Sequence, residues 1–260
     1  MDLWQCLEDG ESLRAERSHA TPVLTVLLSG ACVLRDDRQA VIVEAGTAVL
    51  AHSDFAYRSE HPFGCGDTGC HVRPSPRLLR EIDLPRARRT LVPIDIRGQF
   101  RFRLAVERVA AHGAHGLELE EACLALFAST PDMRAPESPA AVHRRHVDLV
   151  EAAKALLLRR FAEPLSLDDL ARALGASPFH LARIFRRITG FSLHGYRTRI
   201  RLLHSLDRLE ESRGALTDLA LELGFSSQSH FTDAFRRAFG LPPGALGRAG
   251  VTRCARVPPA

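Results

Sequence analysis

The chain has 260 residues, 35 Lys+Arg against 31 Asp+Glu, and six cysteines. That length accommodates two domains with proper cores. No run of eighteen apolar residues occurs, and the acidic start at Asp2, Glu8, Asp9 and Glu11 is unlike an export leader, so a soluble cytoplasmic protein is expected and a membrane protein is not. In that compartment six cysteines read as thiols rather than as a disulfide framework.

The formal net charge of +4 conceals two unlike halves. From Arg144 to the end there are 19 Lys+Arg and 11 Asp+Glu, a net +8, whereas Met1 to His143 has 16 and 20, a net −4. A basic C-terminal half fits a polyanion partner, through counterion release and long-range attraction.

In chain order, short apolar runs come first. Val23 to Leu28, Ala31 to Leu34, Ala40 to Val43 and Thr47 to Ala51 predict strands separated by Gly30, by Asp36-Asp37 and by Gly46, a spacing that suits a sandwich or barrel. The turn-rich segment Arg58 to His71 then gathers His61, Cys65, Cys70 and His71. These are plausible zinc ligands, although Cys-x4-Cys-His matches no strong zinc pattern. Two other readings stay open, an oxidisable Cys65/Cys70 pair acting as a thiol redox switch, and ordinary cysteines beside a loop. His52 and Tyr57 are candidates to line a ligand cavity or simply to pack.

Gln99 to Ala111 and Gly116 to Ser129 predict two helices with more apolar surface than one small barrel needs. Ser129 to Ala141 has three prolines and little to bury, so it reads as a linker. The expected domains are a sensor at 1–95, a helical packing or dimerisation segment at 96–128, the linker at 129–142 and a final domain at 143–250. The last of these opens with a helix through Val147, Val150, Ala153, Leu156 and Leu157.

That final domain repeats one pattern. Leu167 to Gly175 resembles Leu216 to Gly224, with Leu170-Ala171 recurring at Leu219-Ala220. His180, Phe185, Arg186, Arg187 and Gly190 recur at His230, Phe235, Arg236, Arg237 and Gly240. The offset changes by one residue between the two sets, which places an insertion in a turn. Leu167, Leu170, Ala171 and Leu174 form an apolar stripe at helical spacing, Gly175 ends that helix, and Ser177-Pro178 is an N-cap followed by a favoured first helical residue. Leu181, Ile184 and Phe185 face inward in the first copy, and Phe231, Ala234 and Phe235 in the second, where Ser226 or Ser227 caps.

Leu165 to Arg248 resembles the tandem helix-turn-helix DNA-binding domain of AraC/XylS-type bacterial transcription regulators, including Gly190-Phe-Ser-Leu-His-Gly-Tyr196 and Gly240-Leu-Pro-Pro243 after the two copies. The resemblance implies two recognition helices joined by a linker helix, roughly Ser192 to Leu209, and set into successive major grooves. By position in the family pattern, base reading falls to Phe179, Ala182 and Arg183, and to Gln228, Ser229, Thr232 and Asp233. Independently of the family, Arg183 suits guanine and Gln228 adenine, while Phe179 and Ala182 suit thymine methyls. Asp233 fits an intrahelical ion pair as well as a cytosine contact. Arg186, Arg187, Arg197, Arg199, Arg236 and Arg237 suit either phosphate contacts or a solvated face.

His19, Leu24 to Gly30 and Val43 to Leu50 resemble the cupin-type sensor domain common in that family, without the several histidines and glutamate that hold a metal in catalytic cupins. The fold class expected is α+β multidomain, with an N-terminal cupin-like β-barrel and helical pair and a C-terminal all-α domain. The function expected is a non-enzymatic, sequence-specific regulator that binds double-stranded promoter DNA. Its N-terminal part senses a small molecule, metal or redox state, its helical pair makes a homodimer, and RNA polymerase is a further partner. The alternative is a methyl-accepting DNA repair regulator, whose N-terminal zinc-cysteine site would have to come from Cys6, Cys32, Cys65 and Cys70.

Overall fold

The computed structural model describes residues 2–6, 19–37, 39–53, 55–63, 66–76, 89–112, 121–126, 144–209 and 215–246. The chain divides into two compact units, Met1–Pro131 with Phe235–Ala260, and Asp132–Ala234. The expected linker at 129–142 lies outside the described residues.

The first unit carries seven described strands, β1 (Asp2–Cys6), β2 (Val23–Arg35), β3 (Ala40–Glu44), β4 (Thr47–Ala51), β5 (Arg58–Glu60), β6 (Asp67–Val72) and β7 (Arg89–Pro93). Their order is β1-β6-β2-β4-β7, with β3 and β5 also paired to β2, and every pairing is antiparallel. The two runs expected as separate strands on either side of Gly30 are one strand. The first half of β2 pairs with β4 and β6, and its second half pairs with β3 and β5.

Gly30 makes that double membership possible. It has φ +72°, and a Cβ there would stand 2.0 Å from the carbonyl oxygen of Gly66. Only glycine lets the two backbones approach so closely, and the β2–β6 register shifts between Leu27 and Ser29 just before this point. The result is a strand-rich half-barrel. Leu27, Cys32, Leu34, Val43, Val49, Ala51, Phe55 and Tyr57 form a core cluster within it.

Helix α1 (Ile96–His112) begins three residues before the expected helix, with Asp95 accepting from the backbone N–H groups of Arg97 and Gly98. It is held through Gln99, whose buried side chain donates to the carbonyl of Leu27, and through buried Phe102 and Val106. A buried ion pair joins Arg103 and Glu107 at 2.9 Å. Of the second expected helix, 121–126 is helical with Cys123 and Leu126 buried, and its remainder lies outside the described residues.

Downstream lie α2 (Arg144–Arg159), α3 (Leu167–Ala173), α4 (Pro178–Thr189), α5 (Leu193–Arg208), α6 (Leu216–Glu222), α7 (Gln228–Phe239) and α8 (Pro243–Leu246). Val150, Ala153 and Leu157 bury one face of α2, which packs on α4 and α5. No helix among the described residues is long and apolar enough to cross a membrane.

Candidate nucleic-acid interface

The repeat seen in the sequence is a repeat in space. Helices α3 and α6 are both seven residues long and start 49 residues apart; α4 and α7 are both twelve residues long and start 50 apart. The extra residue falls in the turn between α6 and α7. Gly175 and Gly224 have φ +61° and +81°, and Gly190 and Gly240 end α4 and α7 at φ +78° and +82°. Each copy thus turns and stops on a left-handed glycine.

The start of α4 is set by Ser177, whose Oγ accepts from the backbone N–H of His180, and by Pro178 at the first helical position. In the second copy Ser227 is the cap, accepting from the His230 N–H at 3.1 Å, while Ser226 Oγ lies 3.1 Å from His230 Nδ1. Leu181, Ile184 and Phe185 are buried on α4, and Phe231, Ala234, Phe235 and Phe239 on α7. Burying those faces fixes what points outward.

The exposed face of α4 carries Phe179, Arg183, Arg186 and Arg187, with Ala182 half-buried. Phe179 is 79% exposed, the most exposed large apolar side chain among the described residues. On α7, Gln228, Ser229, Asp233, Arg236 and Arg237 are exposed and Thr232 is half-buried. Thr217 donates to the side-chain carbonyl of Gln228 at 2.7 Å, fastening it across the turn. All seven expected base-reading residues therefore lie on α4 and α7, none of them buried.

The expected phosphate contacts divide. Arg186, Arg187, Arg236 and Arg237 keep exposed side chains, and the Arg199 guanidinium lies over the Phe191 ring at 5.5 Å. Arg197 is half-buried, donates to the carbonyl of Leu165 at 2.8 Å, and has its pKa lowered by burial. That bond ties α5 to the chain just before α3.

Sequence reasoning missed Arg201. This residue of α5 is buried, its Nε donates to the carbonyl of Phe161 at 2.7 Å, and its guanidinium covers the Phe225 ring at 5.6 Å. Burial brings its pKa down to about 10, which leaves it charged at neutral pH. One turn further, His204 stacks on Phe161 with ring centroids 4.5 Å apart. An arginine at helical spacing in a basic helix reads as solvated, and only the structure distinguishes it.

Of the expected metal or redox group, His61, Cys70 and His71 are among the described residues. Cys70 and His71 are neighbours on β6 and so project to opposite faces. His71 Nδ1 lies 2.9 Å from Thr25 Oγ1, and its ring sits against His19, which in turn lies 3.2 Å from the Tyr57 hydroxyl. Cys65 lies outside the described residues. His61 instead lies with Cys32 and Asp67, the one group of three or more metal-capable side chains among the described residues, and it contains a single cysteine.

Residues 170–249 match the family described as a helix-turn-helix domain. The HTH-type transcriptional regulator GlxA of Rhizobium meliloti (strain 1021) is 30% identical over 212 residues, covering 79% of this chain and 62% of that protein. The right origin-binding protein of Escherichia coli (strain K12) is 37% identical over 86 residues, 33% of this chain and 30% of that protein. The probable transcription factor PqrA of Proteus vulgaris is 38% identical over 81 residues, 31% of this chain and 66% of that protein. The chain thus spans less than two thirds of the length of each of these relatives.

Proposed function

We propose that this chain is a sequence-specific transcription regulator of the AraC/XylS type that reads promoter DNA with α4 and α7, a reading supported by the helix-turn-helix match at residues 170–249 and by relatives named as a transcriptional regulator and a probable transcription factor. The observation that carries the reading is the pair of twelve-residue helices, each preceded by a serine cap and a left-handed glycine, each with an exposed outer face ending in Arg-Arg. Major-groove reading needs such a helix, with its N-terminal side chains on base edges and cations along the backbone. Phe179, Ala182 and Arg183 read one half-site, and Gln228, Ser229, Thr232 and Asp233 the other. Arg186, Arg187, Arg199, Arg236 and Arg237 hold phosphates.

The half-barrel receives the signal, in a cytoplasmic protein that acts as a homodimer built on α1 and the helical segment after it and that touches RNA polymerase at the promoter. Signal binding shifts the population of arrangements in which both helices engage DNA. The His19–His71–Tyr57 group supports a polar sensing site, set beside the apolar cluster that contains Tyr57. The test is competition binding at fixed salt between DNA flanking the chain's own gene and random duplex. Preference for the flanking DNA supports the reading, and equal binding to both would refute it.

A further inference from the structure

We propose that Cys32, His61 and Asp67 form a binding site for a zinc-type divalent cation within the half-barrel. The three residues come from different stretches, Cys32 from β2, His61 from the residue after β5 and Asp67 from the start of β6. All are buried, and one ligand atom from each lies within 4.8 Å of the other two. The close passage of Gly30 against Gly66 seats Asp67 beside β2, where it is the register partner of Gly30, two residues before Cys32.

A second observation points to a ligand. Asp67 Oδ1 is 3.0 Å from His61 Nε2 and accepts no well-aligned hydrogen bond, although the Asp67 side chain is 1% exposed. A buried carboxylate oxygen left this way is costly unless a cation meets it. A zinc ion held at about 2.3 Å from sulfur and about 2.0–2.1 Å from nitrogen and oxygen sets its ligands roughly 3.3–3.8 Å apart, so the group closes with side-chain movements of about an ångström.

Charge and softness select the ion. Binding releases the Cys32 thiol proton to solvent, His61 coordinates as neutral imidazole, and thiolate plus carboxylate cancel the two positive charges, so a neutral complex is buried. Thiolate with imidazole favours zinc-type ions over magnesium or calcium. Three protein ligands leave the fourth position to water or a small exogenous ligand.

The test uses the full-length chain, stripped with a chelator and titrated with cobalt(II) under reducing, oxygen-free conditions. One equivalent should saturate it, with a thiolate-to-cobalt charge-transfer band and intensified visible bands that zinc abolishes. Cys32→Ser should remove the charge-transfer band, Asp67→Asn and His61→Gln should weaken binding at least tenfold, and Cys70→Ser and Cys123→Ser should leave the spectrum intact. Should Cys32→Ser fail to fold, the other four variants still decide. No saturable equivalent, a band that survives Cys32→Ser, or unchanged affinity in both Asp67→Asn and His61→Gln would overturn the site. None of these readouts involves DNA, so failure here leaves promoter reading untouched.

Discussion

Arg201 Nε donates to the carbonyl of Phe161 while its guanidinium covers the ring of Phe225, so one side chain of α5 grips both the turn before α3 and the turn between α6 and α7. Arg201→Ala removes a charge-assisted hydrogen bond, leaves the Phe161 carbonyl without that donor and opens space beneath Phe225. A loss of about 2–3 kcal/mol in urea unfolding is expected. Arg201→Lys should recover less than half, because an ammonium cannot both reach the carbonyl and lie flat on the ring. Equal stability of the lysine variant and the parent would contradict this assignment.

The turn glycines should differ in their tolerance. Gly224 has φ +81°, and an added Cβ would lie 2.2 Å from the carbonyl oxygen of Ala162 and 2.7 Å from Arg201 Nη2. Gly175 at φ +61° has nothing within 4 Å of that position. Gly175→Ala should therefore cost only the left-handed strain of about 1–2 kcal/mol, and Gly224→Ala clearly more. Thermal melts of the two variants side by side decide it, and a reversed order would be inconsistent with the packing described.

Acid should weaken the fold through His204. Burial against Phe161 lowers its pKa below the usual 6.5, so in the window from that value downward the unfolded chain binds more protons than the folded one. Stability then falls as pH drops from about 6.5, and is fully present above it. Urea midpoints from pH 7.5 to 5 should decline less in His204→Phe than in the parent, and parallel slopes would exclude His204 as a source.

Base and phosphate contacts should separate by their signatures. Arg183→Ala and Gln228→Ala are each expected to reduce preference for the cognate site by roughly tenfold to a hundredfold, with little effect on random duplex. Arg186→Ala should weaken both duplexes alike and lower the salt slope of log K by about 0.9. Fluorescence anisotropy at several salt concentrations reads both quantities at once, and a uniform loss from Arg183→Ala would remove it from base reading.

The helical repeat was legible because its determinants are local. The periodicity of Leu167, Leu170 and Ala171, the Ser177-Pro178 start and the terminal glycines each act within a few residues, and the linker helix expected at Ser192 to Leu209 matches α5 with those two residues as its caps. Strand β4 coincides with the run at Thr47 to Ala51 for the same reason. The continuity of β2 through Gly30 was not legible, since it depends on Gly66, 36 positions further on. Arg201 and Asp67 escaped for a related reason. Their roles come from carbonyls, rings and side chains brought near by topology, and their sequence neighbourhoods contain no sign of them.

The duplicated units differ at one joint. Helix α3 begins with Ser166 and Asp169 capping one another reciprocally, whereas α6 begins at Ala215 with no side-chain acceptor for its first amides. The first helices of the two copies therefore differ in their resistance to fraying at the start. If the two copies read adjacent half-sites as proposed, warming would loosen the second copy before the first, grading occupancy along the DNA rather than releasing it all at once.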